Sequence, residues 1–155
     1  MEKKKNRWWV WLLVAAYIAF IFYNSLQTAV VSDDRSLAIA AWLEPRLNSR
    51  GILISTAMLN HYVRKLAHFS EFFGLGLLVT AALFAAPVFR LRFLNFLIFV
   101  LSIPFADETI QRFVAGRSSQ FSDMVIDGSG MLAGGLFCYL LILVIRDIFR
   151  RRSGS

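Results

Sequence analysis

The chain has 155 residues, of which 57% are hydrophobic and 15% aromatic, and its mean hydropathy is +0.59. So apolar a composition leaves too little polar surface for a water-soluble domain, and one membrane domain over residues 1–155 is the simplest expectation. The net charge of +7 would suit nucleic acid if the basic residues lined a polar face. They sit instead in short clusters between apolar runs, so no nucleic-acid partner is expected and the clusters read as topology signals.

The first apolar run, Trp8 to Tyr23, follows Lys3, Lys4, Lys5 and Arg7 and has the flanks of a membrane helix. Trp8, Trp9 and Trp11 are expected to anchor it at the interface. As a cleaved signal its apolar region would be long, and no A-x-A-like site follows, so it is read as a retained span. Residues 29–60 mix charges with apolar residues: Ser32, Asp33 and Asp34 resemble a helix start, while Pro45 and Asn48 to Gly51 look like breaks. This segment is expected to be a loop with a short interfacial helix over Ser36 to Leu43, and His61 an exposed residue at its end.

Further spans are expected over Tyr62 to Val88, Phe93 to Ile110 and Met124 to Ile145, with Pro87 closing the first of these and Pro104 kinking the second. The fold class is therefore an all-α, polytopic membrane protein of about four transmembrane helices, with an extracytoplasmic loop carrying a short interfacial helix. Ten of the 17 basic residues fall in the amino-terminal stretch 1–7, at Arg90 and Arg92, and in the tail 146–155. The excess of basic residues on that side puts both termini in the cytoplasm of a multi-pass protein. The single cysteine, Cys138, lies in an apolar run and is expected to act as a small buried hydrophobe.

Charges inside the spans carry the functional signal. Arg64, Lys65, His68 and Glu71 fall within roughly 120° of helical arc, forming one polar stripe among Phe69, Phe72 and Phe73. A charge facing hydrocarbon at mid-membrane costs roughly 2.5–3.5 kcal/mol on the insertion scale, so the stripe should face protein or water. Asp107, Glu108 and Gln111 share a face of the next span and are natural partners for those cations. In the last span Asp123, Asp127, Gly130 and Gly134 lie within roughly 60° of arc, so a helix that packs by its glycines carries its carboxylates inward. Gly74 and Gly76 read as further helix contacts, and the polar residues are expected to converge on one chamber.

These residues resemble the VanZ family, whose members carry a K-x-x-H-x-x-E signature, then D-E-x-x-Q, a spaced Arg, and an Asp-led helix ending in glycines. Here those are Lys65, His68 and Glu71; Asp107, Glu108 and Gln111; Arg117; and Asp123, Asp127 and Gly130. The match covers a core motif region, residues 64–135. The resemblance implies a bacterial membrane protein and, for the founding member, resistance to the lipoglycopeptide teicoplanin.

Three accounts of the chamber follow. In one, Lys65, His68, Glu71, Asp107, Arg117 and Asp123 form an ion network that only fixes helix packing. In the preferred account Lys65, His68, Glu71, Asp107, Glu108, Gln111, Arg117, Asp123 and Asp127 bind an envelope lipid precursor or a lipoglycopeptide. Phe69, Phe72, Phe73 and Phe121 would then border an apolar route for its chain. In the third, His68 or Glu71 is a general base and a carboxyl among Asp107, Glu108 and Asp123 an acid. Ser70, Ser118, Ser119 and Ser122 lack a G-x-S-x-G elbow, which argues against a serine nucleophile. One histidine among several carboxylates, with cations nearby to balance them, defines no ligand pattern, so neither a metal nor another cofactor is expected. Membrane lipids are the remaining expected partners, and a noncatalytic membrane scaffold that recruits a partner through residues 29–60 is the third functional reading, after binding and catalysis.

Overall fold

The computed structural model describes residues 7–88, 91–117 and 120–152. The readings above at Lys3, Lys4, Lys5, Arg90, Ser118 and Ser119 lie outside the described residues. Those residues form helices and no strand: α1 Val10–Ser25, α2 Ala29–Asn48, α3 Thr56–Ala85, α4 Arg92–Gln111 and α5 Phe121–Arg152. By length and composition α3, α4 and α5 can each cross a membrane. The 16 residues of α1 reach only about 24 Å, short of a hydrocarbon core about 30 Å thick. With α2, which it meets at 97°, α1 makes a fourth candidate. Against the four spans expected, the described residues hold three candidate single-helix spans, and a fourth only if the bent pair counts as one.

Local chemistry sets these boundaries. At the end of α1 the Leu26 and Gln27 N–H groups bond back to the Phe22 and Asn24 carbonyls, and Thr28 then turns extended (φ −60°, ψ 157°). The chain restarts at Ala29, so Ser32, Asp33 and Asp34 lie inside α2 and do not open it. The expected short helix over 36–43 is only the middle of this 20-residue helix. Pro45 does not break it, because a proline this near the end removes one backbone bond and α2 closes three residues later. The stop comes where expected, at Gly51: its φ of 81° is the left-handed conformation that lets the Ile52 N–H reach back to the Leu47 carbonyl at 3.0 Å. Ser55 caps α3 by accepting from the Met58 N–H, so the helix starts before Tyr62 and includes His61, which is exposed on its first turns. It ends before Pro87, whereas α4 runs as one helix through Pro104.

Helix α3 is the hub, packed against each of the other four, most extensively on α5; α2 packs on α3 alone. Side-chain pairs give the directions. Lys65 meets Asp123 and His68 meets Asp127, so α3 and α5 run parallel. Asn24 meets Glu71 and Trp11 meets Ala86, so α1 is antiparallel to α3. The Trp11 indole N–H donates to the Ala86 carbonyl at 2.8 Å, which makes Trp11 a latch between helix ends and not only an interfacial anchor. Trp8 and Trp9 are exposed, as an interface position requires.

Glycines set the depth of the α3–α5 contact. A Cβ at Gly130 would strike the Phe69 carbonyl, one at Gly134 the Phe73 carbonyl, and one at Gly76 the Met131 carbonyl. The two backbones therefore touch where a methyl group would not fit. Gly74 accommodates the Tyr17 hydroxyl from α1. Around this seam Val14, Ile21, Phe72, Leu75, Val79, Leu83, Val100 and Met131 form the core. Cys138 is buried, as expected. Leu101, Phe93, Leu136 and Phe137 remain exposed, an apolar girdle that suits lipid and not water.

Candidate functional site

The helix directions bring the end of α1, the first half of α3, the end of α4 and the start of α5 to one end of the bundle. There Lys65 pairs with Asp123, the two side chains 23% and 16% exposed. His68 Nδ1 lies 3.5 Å from Asp127 Oδ1. Arg64 turns outward to Asp33 of α2 at 2.6 Å, leaving the stripe it shares by periodicity.

The expected bridge from the Asp107 group to the α3 cations forms differently. Asp107 is fully buried and accepts from the Ser25 hydroxyl at 2.5 Å and the Gln111 amide at 2.8 Å. Glu108 Oε2 accepts the Gln120 N–H at 3.0 Å. Glu71, expected beside Lys65, His68 or Arg117, accepts from the Asn24 amide at 2.9 Å. Arg117 donates to the Asn24 carbonyl at 3.4 Å from the loop between α4 and α5. Burial pushes the Arg117 guanidinium below its usual range, against the fields of Asp107, Glu108 and Glu71, which favour its charge.

Asn24 and Ser25 are thus site residues that sequence reasoning missed. Their signal was a pair of hydrogen-bonding side chains closing an apolar run, read there only as the end of a span. The bent α1–α2 junction turns that end over the charged cluster. The start of α2 is tied down by a backbone bond from the Ala29 N–H to the Ala115 carbonyl at 3.3 Å.

Two adjoining cavities open at this end. One of about 90 Å³ is bordered by Lys65, His68, Gln111, Arg117 and Asp123. The other, about 150 Å³, is bordered by Asn24, Ser25, Arg35 and Glu71. His68, Arg64, Arg117 and Ser32 border both. The single chamber expected is therefore a double one. Asp107, Glu108 and Asp127 border neither and lie beneath it. The aromatic border needs correction in part: Phe72 is buried in the core and Phe69 and Phe73 stack along α3, while Phe121 is exposed and free to serve as expected.

A family model described as VanZ/LLP1 matches residues 8–144. The chain belongs to the VanZ/LLP1 family. The match runs from the start of α1 almost to the end of α5, so the family unit includes α1 and α2 as well as the motif region of residues 64–135. That extent agrees with the geometry, since α1 supplies Asn24 and Ser25 to this VanZ/LLP1 site and α2 supplies Ser32 and Arg35. No curated protein and no solved structure matches the chain.

Proposed function

We propose that this VanZ/LLP1 protein binds the head group of an amphiphilic cell-envelope molecule and thereby lowers susceptibility to teicoplanin. It would do so as one domain of a bacterial cytoplasmic membrane, with both termini cytoplasmic and the chamber facing outward. The observation that carries this is the double cavity, in which Lys65, Arg64 and Arg117 stand beside Glu71 and Asp123. Fixed cations suit a phosphate or carboxylate, and fixed carboxylates suit amines and hydroxyls. Pockets for drug-sized ligands measure roughly 300–1,000 Å³, so cavities of about 90 and 150 Å³ favour a head group over a whole glycopeptide. Exposed Leu66, Phe113 and Phe121 offer apolar surface nearby for the chain of the amphiphile. The orientation rests on the asymmetry of basic residues.

Recognition of an amphiphile should affect teicoplanin more than the less lipophilic vancomycin. Cells expressing the protein are expected to tolerate teicoplanin better, and Arg117→Ala and Asp123→Asn should each abolish the difference at matched membrane levels. Equal protection against both drugs would refute chain recognition. Envelope lipid that copurifies unchanged, read by mass spectrometry, supports binding.

One observation favours a second reading, an enzyme acting on an envelope lipid. His68 borders both cavities and its Nδ1 lies 3.5 Å from buried Asp127, so that a small closure would form the hydrogen bond that orients an imidazole for proton transfer. A new lipid product dependent on His68 would make catalysis the better account.

A further inference from the structure

His68, Asp107 and Asp127 come from three different helices, yet each offers a ligand atom within 4.8 Å of the others. Asp127 is wholly buried, and neither of its carboxylate oxygens receives a hydrogen bond among the described residues; the same holds for His68 Nδ1. A buried carboxylate with no donor is costly unless a cation meets it.

Of the cations expected to balance these acids, Lys65 pairs with Asp123 and Arg64 with Asp33, while Arg117 feels the field of Asp107 but gives its hydrogen bond to the Asn24 carbonyl. We propose that His68, Asp107 and Asp127 bind one divalent transition-metal ion, Zn²⁺ or Mn²⁺.

Two carboxylates and a neutral imidazole carry the charge that such an ion balances. The mixed nitrogen and oxygen donors suit zinc or manganese better than the all-oxygen shells of calcium and magnesium. Ligands about 2.1 Å from a tetrahedral ion sit about 3.4 Å apart. The His68–Asp127 pair, at 3.5 Å, already has that spacing, and the third atom closes by at most about 1.4 Å. Asp107 is held for the role by Ser25 and Gln111, which donate to its two oxygens as the outer partners of ligating carboxylates do. His68, at the floor of both cavities, gives the ion a way in. Asp123 and Glu71 are turned to Lys65 and Asn24. The inference does not depend on the amphiphile reading, because the ion is measured without lipid or drug.

The test uses the full chain in detergent, stripped with a chelator, loaded with ZnCl₂ or MnCl₂ alone, desalted and assayed by elemental mass spectrometry. About one ion per chain is expected for the parent and for the exposed Asp147→Asn, falling at least about tenfold in Asp127→Asn and His68→Ala. X-ray absorption at the metal edge of the parent, which needs no variant, should show one imidazole nitrogen in an otherwise oxygen shell. Only trace metal on the folded parent, equal loading of parent, Asp127→Asn and His68→Ala, or a shell without imidazole overturns the proposal. The last two outcomes would assign the ion to surface acids, and the first would leave the buried charge to a protonated His68.

Discussion

Replacing Gly134 by Ala tests whether the α3–α5 seam is as close as the backbones indicate. The new Cβ would lie 2.8 Å from the Phe73 carbonyl carbon and 3.0 Å from its Cα. The Phe73 carbonyl oxygen would lie closer still, and since carbon–oxygen contacts favour about 3.3–3.6 Å, the helices must part by more than about 1 Å. What resists is backbone on both sides, with no flexible side chain to turn away, and overpacking of this kind costs about 1–3 kcal/mol. That is a loss of roughly five- to 150-fold in the folding equilibrium. Gly128 supplies a control on the same helix, because a Cβ there meets nothing within 4 Å. Gly128→Ala should be neutral or stabilising by up to about 1 kcal/mol through helix propensity alone. Thermal unfolding of the detergent-purified variants, followed by helical circular dichroism, gives the comparison. The reasoning fails if Gly134→Ala melts with the parent, or if Gly128→Ala is equally damaged.

Trp11→Phe keeps the ring but removes the donor to the Ala86 carbonyl, and should lower stability by about 0.5–1.5 kcal/mol in the same assay; an unchanged melting temperature would show that the carbonyl finds water instead. For orientation, Ser49→Cys should react with an impermeant thiol reagent in intact cells while Arg152→Cys should not, and buried Cys138 should stay silent. The reverse labelling would put the chamber on the cytoplasmic side.

The periodicity of the apolar runs placed α4 to within a residue at each end and found α3 and α5, because membrane helices must satisfy their backbone internally and their residues advertise it, but it missed the polar first turns of α3 and the basic last turns of α5. The inward face of α5 was equally legible from the spacing of Asp123, Asp127, Gly130 and Gly134. Partnership within the cluster was not. Spacing along one helix says which side chains share a face but not the height at which a neighbouring helix crosses it, and that height decides that Lys65 takes Asp123 and leaves Asp127 to His68. The α1–α2 bend was hidden for a related reason. Only a tertiary arrangement could turn Asn24 and Ser25 from the end of one helix into partners of Glu71 and Asp107. Residues 29–48 misled because their polar residues resembled a loop, whereas α3 offers a surface on which a mixed helix can lie.

The contacts of α2 give the chamber unequal walls. On one side stand α3 and α5, joined backbone to backbone and unable to separate without opening the core. On the other stands a helix that touches α3 alone, tied at its start to Ala115, to Arg64 through Asp33 and to Thr56 through Glu44. Ser32, Arg35, Ser36 and Ile39 of that helix border the larger cavity. An occupant larger than the cavity meets its most weakly packed wall on the α2 side. Across this family, changes in α2 should therefore retune which head groups are accepted, while the α3–α5 face keeps the charges in register.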